Sequence, residues 1–354
     1  MVSAEQRLTR AWYGNGRGLM FLIPLSWLLR VITSLRRRLL QAKYQGHPFT
    51  SPVVIVGNIS VGGSGKTPLI IALVKALGRR GYSVGVVSRG YGSRARHYPL
   101  AVTEDTEAAQ CGDEPLLIAQ ACHCPVVVDP DRVAAVEYLL SHYECDLVLS
   151  DDGLQHYRLH RDIEIAVVDG MRGLGNGRCL PAGPLRESSQ RLHEVDYILL
   201  NGSHDVSLSG EFDLEKITLK PSVFRHLASG KTVAADDWTQ ASSVHAVAAI
   251  GNPQRFAATL TEIGLDVDLK GLDDHKQLTF EDLSFSDSLP VIITAKDAVK
   301  FTDTVADNIW VLEVEMHLPE GFLDRLIRAS GLMPHDFANN DLSGVTAENR
   351  ETNV

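Results

Sequence analysis

The sequence Val53-Val54-Ile55-Val56-Gly57-Asn58-Ile59-Ser60-Val61-Gly62-Gly63-Ser64-Gly65-Lys66-Thr67-Pro68 has the clearest structural pattern in the chain. Its β-branched start predicts a buried strand, a glycine-rich turn follows, and the apolar run from Pro68 to about Gly78 predicts a helix. A strand, a turn and a helix in this order point backbone N–H groups and a helix N-terminus toward phosphate oxygens. The stretch therefore predicts a phosphate loop.

Seven residues of this loop are candidates for nucleotide binding: Ser60, Gly62, Gly63, Ser64, Gly65, Lys66 and Thr67. The lysine is placed to reach the β- and γ-phosphates, and the threonine hydroxyl to ligate Mg²⁺. The motif G-x-x-x-x-G-K-T has a serine where its first glycine belongs, but two later glycines keep the turn flexible. We interpret a variant phosphate loop; the alternative is a glycine-rich connection without a ligand.

Length and charge suggest how the chain is organised. With 354 residues, of which 44% are hydrophobic, the sequence is long enough for two domains. The net charge is −10, yet residues 1–45 hold eight basic residues and one acid, a charge of +7 that leaves about −17 elsewhere. This asymmetry argues against general nucleic-acid binding and favours contact with a local anionic surface.

The five cysteines are an odd number, and no signal-peptide cleavage site is evident. A reducing compartment is the simplest interpretation. The triplet Cys122-His123-Cys124 suggests a metal site, but no second Cys/His pair follows at zinc spacing. Ordinary thiols are the favoured alternative.

The N-terminal segment has an apolar run, Leu19–Leu29, that is too short for a bilayer needing roughly 20 residues. From Pro24 onward, apolar residues recur at helical spacing: Leu25, Leu28, Ile32, Leu35 and Leu39. The pattern predicts an amphipathic helix that lies in a membrane interface with its arginines toward anionic headgroups. The alternative is a helix packed on the protein's own core.

Strand-like and helix-like stretches alternate along the rest of the chain. They predict an α/β fold with a mostly parallel, P-loop NTPase-like sheet, helices on both faces and a second, smaller α/β domain without a phosphate loop. The predicted boundaries are an N-terminal helix at 1–45, a P-loop domain at 46–205, a linker or β-ribbon at 206–243, a C-terminal domain at 244–335 and a disordered tail at 336–354.

Two further stretches carry charges suited to phosphate chemistry. A strand at Asp146–Ser150 runs into Asp151 and Asp152, which predicts the second magnesium-binding element that a phosphate loop needs. The alternative is that these aspartates cap a turn. In the rigid loop Leu180–Glu187, Arg186 is suited to neutralise phosphate charge, and a surface Arg–Glu pair is the alternative.

Seven stretches together resemble the tetraacyldisaccharide 4'-kinases, the lipid A kinases of Gram-negative bacteria, from the N-terminal helix to about residue 330. They are Ser60–Pro68, Ser88–Gly92, Gly112–Pro115, Asp151–His156, Leu180–Glu187, Asp274-His275 and Lys296–Lys300. The resemblance implies transfer of the ATP γ-phosphate, with Mg²⁺, to the 4'-hydroxyl of a tetraacyldisaccharide 1-phosphate in lipid A biosynthesis. Together with the basic amphipathic helix at Pro24–Lys43, it predicts a peripheral position on the cytoplasmic face of the inner membrane, without a span.

The resemblance implies five catalytic residues: Lys66, Asp113, Arg186, Glu187 and His275. A carboxylate can accept the proton of the attacking hydroxyl, and a histidine can orient that carboxylate. This pairing requires the two domains to close over the acceptor. The alternative makes Asp113 a helix N-cap and His275 a turn residue. The sequence departs from the family pattern at Lys276-Gln277-Leu278, where an aromatic is usual, at Ala295 and at Ser188.

Three other functions stay open at this point. A GTPase-type metal chaperone would need Asn/Thr-Lys-x-Asp, and Thr294-Ala295-Lys296-Asp297 has its lysine one position late. Another P-loop kinase could act on a soluble sugar, with the N-terminal helix only packing. A non-catalytic ATP switch on a membrane is the third.

Overall fold

The computed structural model describes residues 4–14, 17–43, 49–202, 211–274, 276–301 and 306–333. Within these ranges the chain forms one sheet of 13 strands with helices packed against it. The strands are β1 Val53–Gly57, β2 Val84–Ser88, β3 Leu100–Val102, β4 Val126–Val128, β5 Leu147–Asp151, β6 Ile163–Asp169, β7 Tyr197–Asn201, β8 Leu214–His226, β9 Thr232–Ala234, β10 Ser243–Ala248, β11 Asp266–Gly271, β12 Val291–Thr294 and β13 Ile309–His317.

The helices within the described ranges are α1 Ala4–Tyr13, α2 Ile23–Lys43, α3 Lys66–Gly78, α4 Ala108–Cys111, α5 Asp113–Cys122, α6 Arg132–His142, α7 Pro253–Glu262, α8 Ala295–Ala298 and α9 Phe322–Ala329. Short 3₁₀ turns cover Arg17–Leu22, Ser189–Glu194, Ala235–Asp237 and Phe280–Leu283.

The strand order is β11-β10-β12-β13-β8-β7-β6-β1-β5-β2-β4-β3, with β9 beside β8. β1 lies between β5 and β6 and is parallel to both. Among the strands of the described ranges, the antiparallel pairs are β3 with β4, β8 with β13, and β8 with β9. The predicted fold class, a mostly parallel α/β sheet covered on both faces, is confirmed.

Alternation along β1 explains why its sequence is apolar throughout. Val54 and Val56 pack on one face of the sheet with Leu69 of α3, whereas Ile55 packs on the opposite face with Leu139 of α6. A strand that is covered on both faces needs an apolar residue at every position. Burying each such side chain stabilises the fold by about 1.5–3 kcal/mol, so the strand that carries the phosphate loop is rigidly held.

The chain contains two α/β series, a first one at 53–201 with β1–β7 and a second one at 243–317 with β10–β13. β8 lies between these two series in the sheet and joins them. Its first residues, Leu214–Ile217, pair parallel with β7, and the rest pairs antiparallel with β13. The sequence predicted only a linker or β-ribbon at 206–243. Pro221 lies within β8, although proline is rare inside strands because it lacks a backbone N–H group. The structure accommodates this proline at a register shift opposite Glu313 and Val314. The five domain boundaries stay predictions; residues 203–210 and the tail from 334 lie outside the described residues.

The N-terminal helix differs from the sequence prediction in two ways. Leu19–Lys43 forms 25 residues of continuous helix, which by length and composition alone suffices to cross a membrane; the prediction counted only the run to Leu29. The prediction also turned the arginines toward headgroups. Instead, Arg30 donates to Gln190 Oε1 (3.3 Å) and Arg37 forms an ion pair with Glu194. The side of α2 that carries these two arginines faces the protein body.

Candidate active site

Two asparagines brace the phosphate loop. Nδ2 of Asn201 donates to the Ser64 carbonyl (2.9 Å), and Nδ2 of Asn58 donates to the Gly62 carbonyl (3.2 Å). Gly65, with a φ of 95°, turns the chain into α3, and an added Cβ there would lie 2.2 Å from Asn201. The tight fit requires glycine at this position. Neither asparagine was among the residues predicted to bind the nucleotide: Asn58 precedes the glycine-rich turn, and Asn201 lies in a distant strand that carries no motif.

The second α/β series also contacts this loop. A Cβ on Gly251 would lie 2.4 Å from the Gly63 nitrogen, so the two backbones meet without room for a side chain. The neighbouring Asn252 donates through Nδ2 to Asp169 Oδ2 at the end of β6 (3.2 Å). The phosphate loop therefore lies where the two series meet.

One carboxylate joins two cations that the sequence predicted separately. Nζ of Lys66 lies 3.4 Å from Asp152 Oδ1, and Nη1 of Arg186 donates to Asp152 Oδ2 (2.8 Å). Burial alone would raise the pKa of Asp152, but the charges of Lys66 and Arg186 outweigh it and lower that pKa. The sequence-predicted lysine, aspartate and arginine thus form one charged cluster beside the phosphate loop.

Asp151 lies at the carboxyl end of β5, paired with Val56 of β1, and is 1% exposed. Ser88 Oγ donates to its Oδ2 (3.3 Å), whereas its buried Oδ1 has no hydrogen-bond partner. Burial, followed by the nearby charges of Glu114 and Asp152, raises the pKa of Asp151 to about 7. A cation bound next to Asp151 would stabilise the ionised form of this buried carboxylate.

These donors fit Mg²⁺. The described residues contain no group of three or more His, Cys, Asp or Glu arranged to hold a metal. Mg²⁺ in phosphoryl-transfer sites takes one or two carboxylates and completes its shell with water and substrate phosphates. The unpartnered oxygen of Asp151, with Thr67 in the first turn of α3, matches that smaller requirement.

Glu187 does not pair with Arg186, as the surface-pair alternative would require. Its Oε1 accepts from Gln155 Nε2 (2.7 Å) and its Oε2 accepts from the Tyr157 hydroxyl. Gln155 in turn accepts from Arg186 Nη1 through Oε1 (3.3 Å). Glu187 therefore reaches the arginine through Gln155, a residue that the sequence analysis did not single out.

Two lysines of the second series reach acids at the start of α5. Nζ of Lys300 lies 3.3 Å from Asp113 Oδ2, and Nζ of Lys296 donates to Glu114 Oε1 (2.9 Å). The N-cap of α5 is Gly112, so Asp113 is the first helical residue and not the cap. Both lysines were part of the resembling motif, but their contacts come from distant segments and could not be read from spacing.

Asp274 brings the segment before His275 to the same acids. Its Oδ1 lies 3.7 Å from Lys296 Nζ. Burial would lower the pKa of Lys296, but the charges of Glu114 and Asp274 outweigh it and raise that pKa. His275 itself lies outside the described residues, so its pairing with Asp113 stays a prediction.

Two motifs that the sequence left open have internal partners. Asp297 is buried and accepts hydrogen bonds from Thr294 Oγ1 (2.8 Å) and from the Ala249 nitrogen (3.1 Å). These bonds hold Asp297 within the protein, whereas the GTPase motif would need this aspartate to bind a guanine base. In Cys122-His123-Cys124, His123 Nδ1 lies 2.6 Å from Glu104 Oε1 at the surface. Neither arrangement adds a ligand site to the cluster around Lys66.

Comparison with known proteins adds independent information. Residues 19–330 match the family model described as tetraacyldisaccharide-1-P 4'-kinase. The tetraacyldisaccharide 4'-kinase of Pseudomonas fluorescens strain Pf0-1 is 46% identical over 315 residues, covering 89% of this chain and 93% of that protein. The enzyme of the same name from Alcanivorax borkumensis is 45% identical over 333 residues, covering 94% and 99%.

A solved structure agrees with the sequence relatives. The crystal structure of LpxK from Aquifex aeolicus, described as an "apo" form in complex with ATP, has a TM-score of 0.71 and 26% identity, covering 88% of this chain and 98% of that one. The chain belongs to the tetraacyldisaccharide-1-phosphate 4'-kinase family.

Proposed function

We propose that this enzyme transfers the γ-phosphate of ATP to the 4'-hydroxyl of a tetraacyldisaccharide 1-phosphate, the lipid A precursor. The observation that carries the proposal is the cluster of Lys66, Asp152 and Arg186 against the phosphate loop. Two cations and a row of backbone N–H groups in one place suit a transferred phosphoryl group. The family relationship supplies the identity of the acceptor.

The chemistry asks the protein for charge stabilisation and alignment. Lys66 and Arg186 stabilise the charge that develops on the phosphoryl oxygens, and the loop's N–H groups hold the phosphates that remain. Thr67, Asp151 and Asp152 are the residues that would hold Mg²⁺, which supplies further neutralisation of phosphate charge when bound. Glu187 acts through Gln155 and keeps the Arg186 guanidinium aimed at the loop.

A sugar hydroxyl stays protonated until it attacks. We assign Asp113 as the group that accepts this proton as the new P–O bond forms, with His275 orienting it. Lys300, 3.3 Å from Asp113, ties that carboxylate to the second α/β series. Closure of the two series over the acceptor would bring Asp113 to its hydroxyl.

The exposed face of α2 suits a lipid acceptor. Large apolar side chains there are more than a third exposed: Leu25, Trp27, Leu28, Leu29, Val31, Ile32, Leu35 and Leu39. The opposite side contacts the body through Arg30 and Arg37. This arrangement supports a peripheral enzyme on the cytoplasmic face of the inner membrane, its helix lying in the lipid surface and not crossing it. No nucleic-acid partner is part of the proposal.

A comparison of nucleotides and acceptors tests the proposal. We expect turnover with ATP and an acylated disaccharide 1-phosphate in detergent micelles, and at least tenfold lower turnover with GTP or with the deacylated disaccharide. Preference for GTP would favour the GTPase alternative. Equal use of the deacylated sugar would favour a kinase of soluble sugars, and ATP binding without any acceptor product would favour a switch.

A further inference from the structure

Arg172 lies beside the phosphate loop without being part of the cluster described above. It follows Asp169, the last residue of β6, by three positions. A Cβ on Gly62 would lie 3.2 Å from Arg172 Nη1, so the guanidinium lies against the tip of the loop. Gly62 has a φ of 104°, a conformation that glycine adopts without strain. The absence of a side chain at this position leaves the guanidinium next to the loop backbone.

The ring of Tyr13 in α1 lies next to that guanidinium. Cζ of Arg172 is 5.1 Å from the centroid of the Tyr13 ring, within the range of a cation–π contact. The Tyr13 hydroxyl donates to the carbonyl of Val61, the residue before Gly62 (3.3 Å). One aromatic side chain from the N-terminal segment thus contacts both the loop and the arginine.

The acid nearest to Arg172 along the chain, Asp169, contacts other residues. Its Oδ1 lies 3.5 Å from Arg255 Nη1, and its Oδ2 accepts a hydrogen bond from Asn252 Nδ2. Within the described ranges, Arg172 forms no ion pair with an acidic side chain. A half-buried guanidinium without a carboxylate, next to a phosphate loop, has its planar set of donors free for an anion.

We propose that Arg172, positioned by Tyr13, binds a phosphate group at the outer side of the phosphate loop. The ligand class is a phosphate ester, and there are two sources: the terminal phosphate of the nucleotide and the phosphate monoester on the acceptor. The second source rests on the proposed function. A guanidinium binds phosphate oxygens in a bidentate geometry that a lysine does not reproduce.

Affinity measurements on matched variants test this proposal. The variants are Arg172→Ala, Arg172→Gln and Arg172→Lys, with Arg79→Ala at the far end of α3 as a control that removes an exposed arginine. We expect the alanine and glutamine variants to bind one phosphate ligand about tenfold more weakly, because a charge-assisted pair is lost. Lysine should restore part of the affinity, and the control should match wild type. The glutamine variant keeps the test valid if the alanine variant does not fold.

The two sources of phosphate are separated by the choice of ligand. Calorimetry with ATP and Mg²⁺ reports the nucleotide, and binding of the acceptor 1-phosphate against its dephosphorylated analogue, in micelles, reports the acceptor. Weaker ATP binding, or a lower kcat with both KM values kept, assigns Arg172 to the nucleotide phosphate. Weaker binding of the 1-phosphate alone assigns it to the acceptor.

Substitutions of Tyr13 test the positioning contact. Tyr13→Leu should reproduce the direction of the Arg172→Ala effect at smaller size, and Tyr13→Phe, which keeps the ring, should affect it least. Folded Arg172 variants within twofold of wild type in both affinities, both KM values and kcat would overturn the proposal. An inactive wild-type enzyme would instead overturn the proposed function, while the binding measurements still decide the role of Arg172.

Discussion

Lys300 and Asp113 connect the two α/β series at the candidate active site, with Nζ of the lysine 3.3 Å from Oδ2 of the aspartate. The same Nζ lies 3.0 Å from Oδ1 of Asp297, which is buried in the second series. The position of the proposed proton acceptor therefore depends on a segment almost 190 positions further along the chain. Movement of one series relative to the other would therefore either reposition the Asp113 carboxylate or break its contact with Lys300.

Replacing Asp113 by alanine should lower kcat by roughly two to four orders of magnitude, since the proton acceptor is lost. ATP affinity should stay within threefold, because the phosphate loop is intact. His275→Ala should lower kcat less, and the double variant should be barely worse than Asp113→Ala, since residues that act as a unit are not additive. Steady-state kinetics and ATP calorimetry measure both quantities.

A matched control for this series is Glu107→Gln, which changes an exposed acid six positions before Asp113. Fully multiplicative losses in the double variant would show that the two residues act separately. They would remove the pair from the mechanism.

Replacing Lys66 by alanine should lower turnover by roughly two to three orders of magnitude while the protein stays folded. Loss of γ-phosphate stabilisation costs on the order of 3–4 kcal/mol of barrier, or 10²–10³ in kcat. Lys75→Ala removes an exposed lysine from the other end of the same helix and should leave kcat unchanged. A folded Lys66→Ala enzyme with near-normal kcat would contradict the role assigned to the loop.

The exposed face of α2 should determine membrane binding. Replacing Leu28, Ile32, Leu35 and Leu39 together by serine should reduce flotation with anionic vesicles at least tenfold, because each buried apolar side chain contributes on the order of 1 kcal/mol or more. Arg30 and Arg37 lie on the side of α2 that faces the protein body. The variants Arg30→Ala and Arg37→Ala should therefore reduce flotation much less. Substitutions are preferable to deletion of the segment, since Tyr13 contacts the phosphate loop.

Two results would contradict this arrangement of the helix. If the serine variant floats as well as wild type, the exposed face is not the lipid-binding surface. Protease cleavage of the N-terminus from the periplasmic side of intact cells would show that the helix crosses the membrane, against the peripheral arrangement proposed here.

His156 should make stability depend on pH below neutrality. Burial, followed by the charge of Arg132, lowers its pKa from 6.5 to about 4. Between these values the unfolded chain binds more protons, so the free energy of unfolding rises with pH and falls as the solution is acidified from about 6.5 to about 4. We expect the free energy of unfolding to fall by on the order of 2 kcal/mol. This is less than the full pKa shift would give, because the side chain is partly exposed and solvent screens its charge.

Urea unfolding of His156→Gln at several pH values from 7 to 4 measures this contribution. The variant should lose less stability on acidification than wild type, whereas His97→Gln, a change at the surface, should follow wild type. Identical losses in His156→Gln and wild type would mean that the lowered pKa of His156 is not the cause of this pH dependence.

Local pattern sufficed for much of the fold and for the loop. The apolar run Val53–Val56 and the Gly65-Lys66-Thr67 sequence predict β1, the phosphate loop and α3, because period and turn chemistry act over a few residues. The length of β8 escaped prediction, since its pairing with β7 and β13 and not its own composition holds Pro221 in a strand.

Contacts between distant segments explain what the sequence missed at the site. Asn201 braces the phosphate loop from 137 positions away, and Lys296 reaches Glu114 from 182 positions away. The arginines of α2 were assigned to headgroups because helical periodicity separates polar from apolar faces but does not say what each face contacts. Arg30 and Arg37 contact the protein body instead.

The proposed phosphoryl transfer is tested by mapping the position that the phosphate occupies on the lipid product. Wild-type enzyme and Lys66→Ala are incubated with γ-labelled ATP, Mg²⁺ and a tetraacyldisaccharide 1-phosphate in micelles, and the labelled position is assigned by phosphorus–proton correlation NMR. We predict label on the 4'-oxygen with wild type and, over the same time, roughly a hundredfold to a thousandfold less labelled lipid with Lys66→Ala. Label at another oxygen, or release of inorganic phosphate without a labelled lipid, would contradict the account.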